Sequence, residues 1–314
     1  MQGLDPDVAR ILEGMRRNNT PPLWTQPIDA ARKAYDKGLR LLDLAPEPSV
    51  AASDEPLGAG LVVREYAPER RAPGAGGLLW LHGGGYCVGS IETSDIVCRM
   101  FAARCGCRVF SAGYRLAPEH PFPAAVDDAV RAYDWALARL GEGAERPANL
   151  AIAGDSAGAT LAAVVSLRAR EADLPLPAAQ ILVYPSAIGR RPSASKQQFA
   201  EGHFLTLNDL EWFYRNYTQG RDRDDDPRFA PVAARTLAGQ PRCLIIAAEC
   251  DPLADDARAY AGALAGAGND VSLEVFPGMI HGFFNMGGMV RGARAAHALA
   301  ARFLSETLAG GSCA

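Results

Sequence analysis

The chain has 314 residues, of which 48% are hydrophobic and 22% are charged, as in a folded globular protein with a sizeable core. Its 32 basic and 36 acidic residues give a net charge of −4, and the basic residues are scattered, which argues against nucleic-acid binding. We therefore expect no nucleic-acid partner. No low-complexity linker divides the sequence, which favours one α/β domain with an accessory lid.

The N-terminus and the cysteines bear on the cellular compartment. Residues 1–10 lack the apolar core of a signal peptide, and no stretch approaches the roughly 18 apolar residues that a membrane span needs. We therefore predict a cytoplasmic protein with no membrane partner. The seven cysteines form no C-x-x-C pair and lie mostly in apolar runs, which predicts buried free thiols without a disulfide or a metal site.

In chain order, two helical patterns come first, at 8–15 and 28–42. Apolar runs farther along the chain are typical of buried strands, and helical patterns alternate with them. The predicted strands span residues 61–66, 78–81, 107–114, 150–153, 180–184, 243–248 and 272–276. The predicted helices between them span residues 126–140, 159–170 and 254–265. This alternation predicts an α/β fold with a mainly parallel central sheet flanked by helices.

An insertion at residues 187–226 interrupts the alternation of strands and helices. It is rich in apolar and aromatic residues, namely Phe204, Leu207, Leu210, Trp212, Phe213 and Tyr217. These side chains either pack the core of a small subdomain or roof a substrate pocket. The sequence supports both interpretations equally.

Three consecutive glycines, Gly83, Gly84 and Gly85, follow the predicted strand 78–81. Glycines in series do not stabilise a strand, but they let backbone N–H groups approach a bound group closely. We interpret the triplet as half of an oxyanion hole, although a flexible turn has the same composition. His82, just before it, is more typical of a structural hydrogen-bonding residue than of a catalytic base.

The segment 150–161 contains a short apolar run, the motif G-D-S-A-G and a small-residue helical pattern. A strand, a sharp turn and a helix in this order expose the hydroxyl of Ser156 above the edge of the sheet. The N–H group of Ala157, at the start of the helix, would be the other half of the oxyanion hole. The same residue types also form ordinary tight turns, so the motif alone leaves both interpretations open.

An acid and a base follow the last two predicted strands. Asp251 lies just past strand 243–248, and His281 lies in the loop after strand 272–276. The carboxyl ends of parallel strands meet at one edge of the sheet, so both are expected near Ser156. Asp255 and Asp256 are competing acids that also suit the first turn of the next helix. Among the other histidines, His297 is expected at the protein surface.

Ser156, Asp251 and His281 occur in the chain order nucleophile, acid and base, which is the order of an α/β-hydrolase. On four sequence blocks, the chain resembles the hormone-sensitive-lipase-like family of bacterial carboxylesterases. The blocks are residues 82–85, residues 114–119 with 122–125, residues 154–158, and residues 251–253 with 281–283.

This resemblance implies an α/β-hydrolase fold with a helical cap. Residues 1–45 and 187–226 would form the cap, and residues 46–186 and 227–314 the catalytic domain. Ser156, Asp251 and His281 would be the catalytic triad. Ala157 and two of the glycines Gly83, Gly84 and Gly85 would form the oxyanion hole. The candidate pocket residues are Tyr86, Tyr184, Phe204, Phe213 and Ile280.

The function implied is that of a serine carboxylesterase acting on short- to medium-chain acyl esters through an acyl-enzyme. It needs no cofactor and no metal, its partner is a small ester, and the chain would be a monomer or a homodimer. Two alternatives remain. One is an amidase or peptidase on the same fold. The other is a ligand-binding receptor without catalysis, which has no need of a base such as His281.

Overall fold

The computed structural model describes residues 3–72, 76–142 and 149–310, and its central element within these ranges is an eight-stranded β-sheet. The strands are β1 Val50–Gly58, β2 Leu61–Pro68, β3 Gly77–Leu81, β4 Arg108–Gly113, β5 Leu150–Asp155, β6 Gln180–Val183, β7 Cys243–Cys250 and β8 Val271–Ile280. Their order across the sheet is β1-β2-β4-β3-β5-β6-β7-β8. The strand β2 runs antiparallel to its neighbours β1 and β4, and all other pairs are parallel.

Nine α-helices lie in the described ranges. They are α1 Pro6–Arg17, α2 Ile28–Leu42, α3 Ile91–Cys105, α4 Ala124–Gly141, α5 Ala157–Glu171, α6 Ala194–Gln198, α7 Leu207–Thr218, α8 Ala254–Gly266 and α9 Arg291–Gly310. Short 3₁₀ turns occur at Leu23–Thr25, Pro231–Ala233 and Phe283–Asn285. In the part of the chain that the structure describes, no helix is both long and apolar enough to cross a bilayer.

Strand β3 shows how the sheet buries both of its faces. Leu78 and Trp80 pack into a hydrophobic cluster with residues of α1, α3 and α9. Leu79 and Leu81 point the other way, into a second cluster with residues of α4, α5 and α8. Helices on both faces of parallel strands explain why these strands read as continuous apolar runs. The predicted fold class is confirmed.

Strand β1 is the one described strand that the apolar pattern does not predict. Because β1 forms one edge of the sheet, seven of its nine residues are exposed, and Val50 is its only buried residue. It carries Asp54, Glu55 and Pro56, which are typical of an edge strand that avoids pairing with other chains. At the other edge, β8 continues to Ile280, beyond its predicted end at residue 276.

The packing of β3 against α5 depends on Gly158. A methyl group at this position would overlap the carbonyl oxygens of Leu81 and His82. By contrast, a methyl group at Gly262, in the exposed face of α8, would have open space around it.

We therefore predict opposite effects for two glycine-to-alanine variants. Gly158→Ala should lower the free energy of unfolding by at least about 2 kcal/mol, because backbone atoms must move. Gly262→Ala should raise it by about 0.5–1 kcal/mol, since alanine restricts the unfolded chain and suits a helix. Denaturant unfolding of the two purified variants checks both values. Wild-type stability in Gly158→Ala would contradict this account of the β3–α5 contact.

Candidate active site

Ser156 lies at the turn between β5 and α5. Its backbone has φ 53° and ψ −119°, a conformation that residues other than glycine rarely adopt. The N–H group of Ser156 donates a hydrogen bond to the carbonyl of Val183 at the end of β6, 2.8 Å away. The neighbouring side chains are buried, whereas Ser156 itself is partly exposed. The turn therefore presents the serine hydroxyl at the edge of the sheet, as the motif predicts.

A chain of hydrogen bonds joins Ser156, His281 and Asp251. The Oγ atom of Ser156 lies 2.9 Å from Nε2 of His281, and Nδ1 of His281 lies 2.8 Å from Oδ2 of Asp251. Asp251 is fully buried, and its Oδ1 accepts a hydrogen bond from the N–H group of Leu253 at 2.8 Å. Because Asp251 accepts the Nδ1 proton, Nε2 is left free to accept the serine proton.

The parallel strands explain how these distant residues meet. Asp251 directly follows the last residue of β7, and His281 directly follows the last residue of β8. Both positions are at the carboxyl end of the sheet, where β5 also ends next to Ser156. The structure thus brings together the three residues that the sequence predicts as a triad.

Within the glycine triplet, one N–H group has a hydrogen-bond acceptor in the protein and the other two have none in the described residues. The N–H group of Gly83 donates to Oδ1 of Asp155 at 2.9 Å, so it is not available for an oxyanion. This corrects the inclusion of Gly83 among the oxyanion-hole donors. The N–H groups of Gly84, Gly85 and Ala157 donate to no other group in the described residues, and both glycines have positive φ angles. These three N–H groups are the remaining candidates.

The carboxylate of Asp155 connects three loops of the site. It accepts hydrogen bonds from the N–H group of Gly83 and from Nδ2 of Asn285, each at 2.9 Å. Asp155 is only 2% exposed, and this burial raises its pKa to about 6, although both hydrogen bonds favour the ionised form. The sequence gives no role to Asp155 or Asn285. The one sequence feature that could have indicated a role for Asp155 is its place next to Ser156 in the G-D-S-A-G motif.

Three of the five candidate pocket residues have rings beside His281, Gly282 or Gly85. The ring of Tyr184 lies 4.5 Å from the ring of His281. A methyl group at Gly282 would lie 3.1 Å from the ring of Phe204. A methyl group at Gly85 would overlap the ring of Phe213. Aromatic rings thus adjoin both the base and the glycine loop.

The other two candidate pocket residues are packed in the core. Tyr86 is 3% exposed and stacks on Tyr217 with ring centroids 3.8 Å apart. Ile280 is fully buried in the cluster that contains α9. Both positions are explained by packing between the sheet and its neighbouring elements.

Two histidines outside the candidate triad are buried. His82 stacks on Tyr114 at 4.2 Å and donates from Nδ1 to the carbonyl of Gly83 at 2.8 Å, as expected of a structural residue. His297 is not at the surface, contrary to the prediction, because α9 packs against the turn that contains Phe284. Its Nε2 donates to the carbonyl of Phe284 at 2.7 Å, and burial lowers its pKa to about 4.

Arg32 connects helix α2 to the glycine loop. It donates from Nε to the carbonyl of Cys87 at 2.9 Å and from one terminal nitrogen to the carbonyl of Ala117 at 3.0 Å. Its guanidinium also forms a bidentate ion pair with Glu119, at 2.7 and 2.9 Å. Helix α2 therefore contacts the loop that carries the candidate oxyanion donors.

Helix α1, unlike α2, is held at its N-terminus by hydrogen bonds to strand β8 and to the start of helix α9. The N–H group of Asp5 donates to the carbonyl of Gly278 in β8 at 3.0 Å, and the N–H group of Arg291 donates to Oδ2 of Asp7 at 3.2 Å. The turn Leu23–Thr25, by contrast, contacts α7 of the insertion. The N-terminal segment is thus divided between the edge of the sheet and the insertion.

Comparison with known proteins agrees with this geometry. A family model described as the α/β-hydrolase fold matches residues 78–285. The chain is 37% identical over 306 residues to an ethyl acetate hydrolase of Pseudomonas putida, covering 92% of this chain and 95% of that protein. It is 34% identical over 293 residues to a carboxylic ester hydrolase of Mycobacterium tuberculosis, covering 90% of this chain and 77% of that protein.

A solved structure shows the same similarity in three dimensions. It is an ester hydrolase from the metagenome of Lake Arreo, in complex with a derivative of bipyridine phosphonate, and it superimposes with a TM-score of 0.90. The two sequences are 36% identical, and the match covers 96% of this chain and 98% of that one. The chain therefore belongs to the hormone-sensitive-lipase-like carboxylesterases of the α/β-hydrolase fold, and it is a carboxylic ester hydrolase.

Proposed function

We propose that the enzyme hydrolyses short- to medium-chain acyl esters with Ser156 as nucleophile, His281 as general base and acid, and Asp251 as the residue that orients His281. The observation that carries this proposal is the continuous hydrogen-bond chain from Ser156 Oγ through His281 to the buried Asp251, with links of 2.9 and 2.8 Å. These are the contacts that proton transfer from a serine to a histidine requires.

The first half of the reaction forms an acyl-enzyme. Nε2 of His281 accepts the hydroxyl proton while Oγ of Ser156 attacks the ester carbonyl carbon, which gives a tetrahedral intermediate with a negatively charged oxygen. The imidazolium then donates this proton to the leaving alcohol oxygen as the carbon–oxygen bond breaks. Asp251 stabilises the transient positive charge on the imidazole and fixes its tautomer.

The second half repeats these steps with water. His281 accepts a proton from a water molecule as the water oxygen attacks the acyl carbon of the acyl-serine. The second tetrahedral intermediate releases the carboxylic acid when His281 returns the proton to Ser156 Oγ. The residues therefore end in their starting protonation states.

The negative oxygen of both intermediates would be stabilised by the N–H groups of Gly84, Gly85 and Ala157. Their lack of partners in the described residues supports this role, because an N–H group without a protein acceptor is available to donate to the developing charge. Asp155 would act as a positioning residue, since its hydrogen bond to Gly83 fixes the start of the glycine loop beside the serine turn.

The cap would limit the length of the acyl chain. We propose that it consists of α2, the turn Leu23–Thr25 and residues 187–226, because these segments contact the glycine loop or each other. The rings of Phe204 and Phe213 adjoin the site from the insertion and would close the pocket. The relative named as an ethyl acetate hydrolase supports a preference for small acyl groups.

The substrate proposal predicts a length profile on p-nitrophenyl esters. Each buried methylene contributes roughly 0.8 kcal/mol, so kcat/KM should rise by up to about fourfold per carbon until the pocket is full. We expect a maximum at about four to eight carbons and a steep fall beyond about twelve. Phe213→Ala should shift this maximum to longer chains, because it removes a ring beside Gly85.

Leu207→Ala is the matched control, since Leu207 lies on the same helix but is exposed. It should leave the length profile unchanged. A wild-type maximum at about sixteen carbons, or an unchanged profile in Phe213→Ala, would contradict the proposed closed pocket.

The buried carboxylate of Asp155 predicts a pH-dependent contribution to stability. Its pKa of about 6 in the folded protein is above the ordinary value of 3.8, so the folded state binds the proton more tightly than the unfolded chain. The resulting stabilisation is fully present below about pH 4 and is lost as the pH rises through about 6. Relative to Asp155→Asn, the wild-type free energy of unfolding should therefore fall by up to about 3 kcal/mol from pH 4 to pH 7.

Denaturant unfolding of the wild type and of Asp155→Asn at several pH values measures this difference. Asp173→Asn, which changes an exposed aspartate, serves as the control. A wild-type free energy of unfolding that rises with pH relative to that of Asp155→Asn would show that the sign is wrong.

A further inference from the structure

The short helix α6 of the insertion lies against the loop that carries Asp251. Ser195, at 4% exposure, makes three hydrogen bonds to this loop. Its hydroxyl donates to the carbonyl of Pro252 at 2.7 Å and accepts from the N–H group of Asp255 at 3.1 Å. Its own N–H group donates to Oδ2 of Asp255 at 2.8 Å. One buried serine thus forms hydrogen bonds with both Pro252 and Asp255.

The next residue adds a buried ion pair. Lys196 is 4% exposed, and its Nζ lies 3.2 Å from Oδ2 of the fully buried Asp256. The same ammonium donates to the carbonyls of Gly189 at 2.7 Å and Arg191 at 2.9 Å. The insertion is therefore held to the start of α8 by a charge pair that water does not reach, and such pairs need well-defined geometry.

These contacts act close to the catalytic acid. Pro252 is the residue next to Asp251, and the N–H group of Leu253 donates to the Asp251 carboxylate. Burial raises the pKa of Asp256 to about 7, Lys196 opposes this shift, and the negative charge of Asp251 adds to it, so the two carboxylates interact. The cation of Lys196 thus lies where it offsets the repulsion between them.

We propose that Ser195 and Lys196 are positioning residues for catalysis, which hold the loop 251–256 so that Asp251 keeps its 2.8 Å hydrogen bond to His281. This inference rests on the proposed triad. It assigns to the insertion a role in aligning the acid, in addition to its role in closing the pocket. It also assigns Asp255 and Asp256, which the sequence suggests as helix-capping residues, to contacts between the two parts of the protein.

Ser195→Ala tests the proposal with the smallest change, because it removes only the hydroxyl. We expect kcat to fall by about tenfold and KM to stay within about twofold, since misalignment of the acid affects the chemical step. Ser195→Thr restores a hydroxyl and should recover kcat to within about threefold of the wild type. Active sites are counted by titration with a phosphonate, so that kcat refers to folded enzyme only.

Ser193→Ala is the matched control. The Ser193 side chain accepts a hydrogen bond from the N–H group of Lys196 at the start of α6, and its Oγ lies 3.2 Å from Oγ of Ser195, but it makes no described contact with the loop 251–256. If weakening α6 were sufficient to lower activity, this variant would lose as much kcat as Ser195→Ala. The proposal predicts a kcat within about twofold of the wild type.

A double-mutant cycle separates positioning from general stabilisation. Asp251→Asn alone should lower kcat by several powers of ten. In that background, Ser195→Ala should cost less than about twofold more, because it acts through Asp251. Equal losses from Ser195→Ala in both backgrounds, or no loss in either, would overturn the inference. Near-normal activity in Asp251→Asn would instead overturn the triad itself.

If Ser195→Ala does not fold, a second variant tests the same proposal. Lys196→Met combined with Asp256→Asn removes both charges of the buried pair, so neither is left unpaired. The proposal again predicts a loss of kcat in the wild type and almost none in the Asp251→Asn background. A loss of equal size in both backgrounds, or full wild-type kcat, would overturn the role of the pair.

Discussion

The strained turn at Ser156 is the constraint on which the rest of the site depends. Its positive φ angle persists because several neighbouring contacts hold the turn in this conformation. The N–H group of Ser156 donates a hydrogen bond to the carbonyl of Val183, and the small size of Gly158 lets α5 lie against the backbone of Leu81. The buried carboxylate of Asp155 accepts a hydrogen bond from the glycine loop. The contacts that fix the Ser156 turn also fix the glycine loop, so the turn and the candidate oxyanion hole form one unit.

Helix α2 and the insertion at residues 187–226 contact loops of the candidate site by hydrogen bonds and charge pairs. Arg32 of α2 binds the glycine loop through Cys87, and Ser195 and Lys196 of the insertion bind the loop that follows Asp251. Each contact is made by buried or partly buried groups, where such bonds are stronger than in water. These two segments therefore support the loops of the candidate site, in addition to their proposed role in covering the substrate.

The sequence predicts the triad because each member has a local signature, a motif or the end of an apolar strand. The contacts of Asp155 were not predictable in this way, since they join residues 72 and 130 positions apart. The contact between Ser195 and Pro252 spans 57 positions and has no pattern of its own. Strand β1 lacks a buried face, and His297 lies in an alanine-rich helix that gives little sign of which side is buried.

We propose that Ser156 is the nucleophile and that the N–H groups of Gly84, Gly85 and Ala157 bind the negatively charged oxygen of the tetrahedral intermediates. A crystal structure of the enzyme after reaction with a p-nitrophenyl phosphonate ester tests this most directly. We expect phosphorus bonded to Ser156 Oγ, with the phosphonyl oxygen about 3 Å from at least two of these N–H groups. An adduct on another residue, or a phosphonyl oxygen directed away from all three N–H groups, would contradict it.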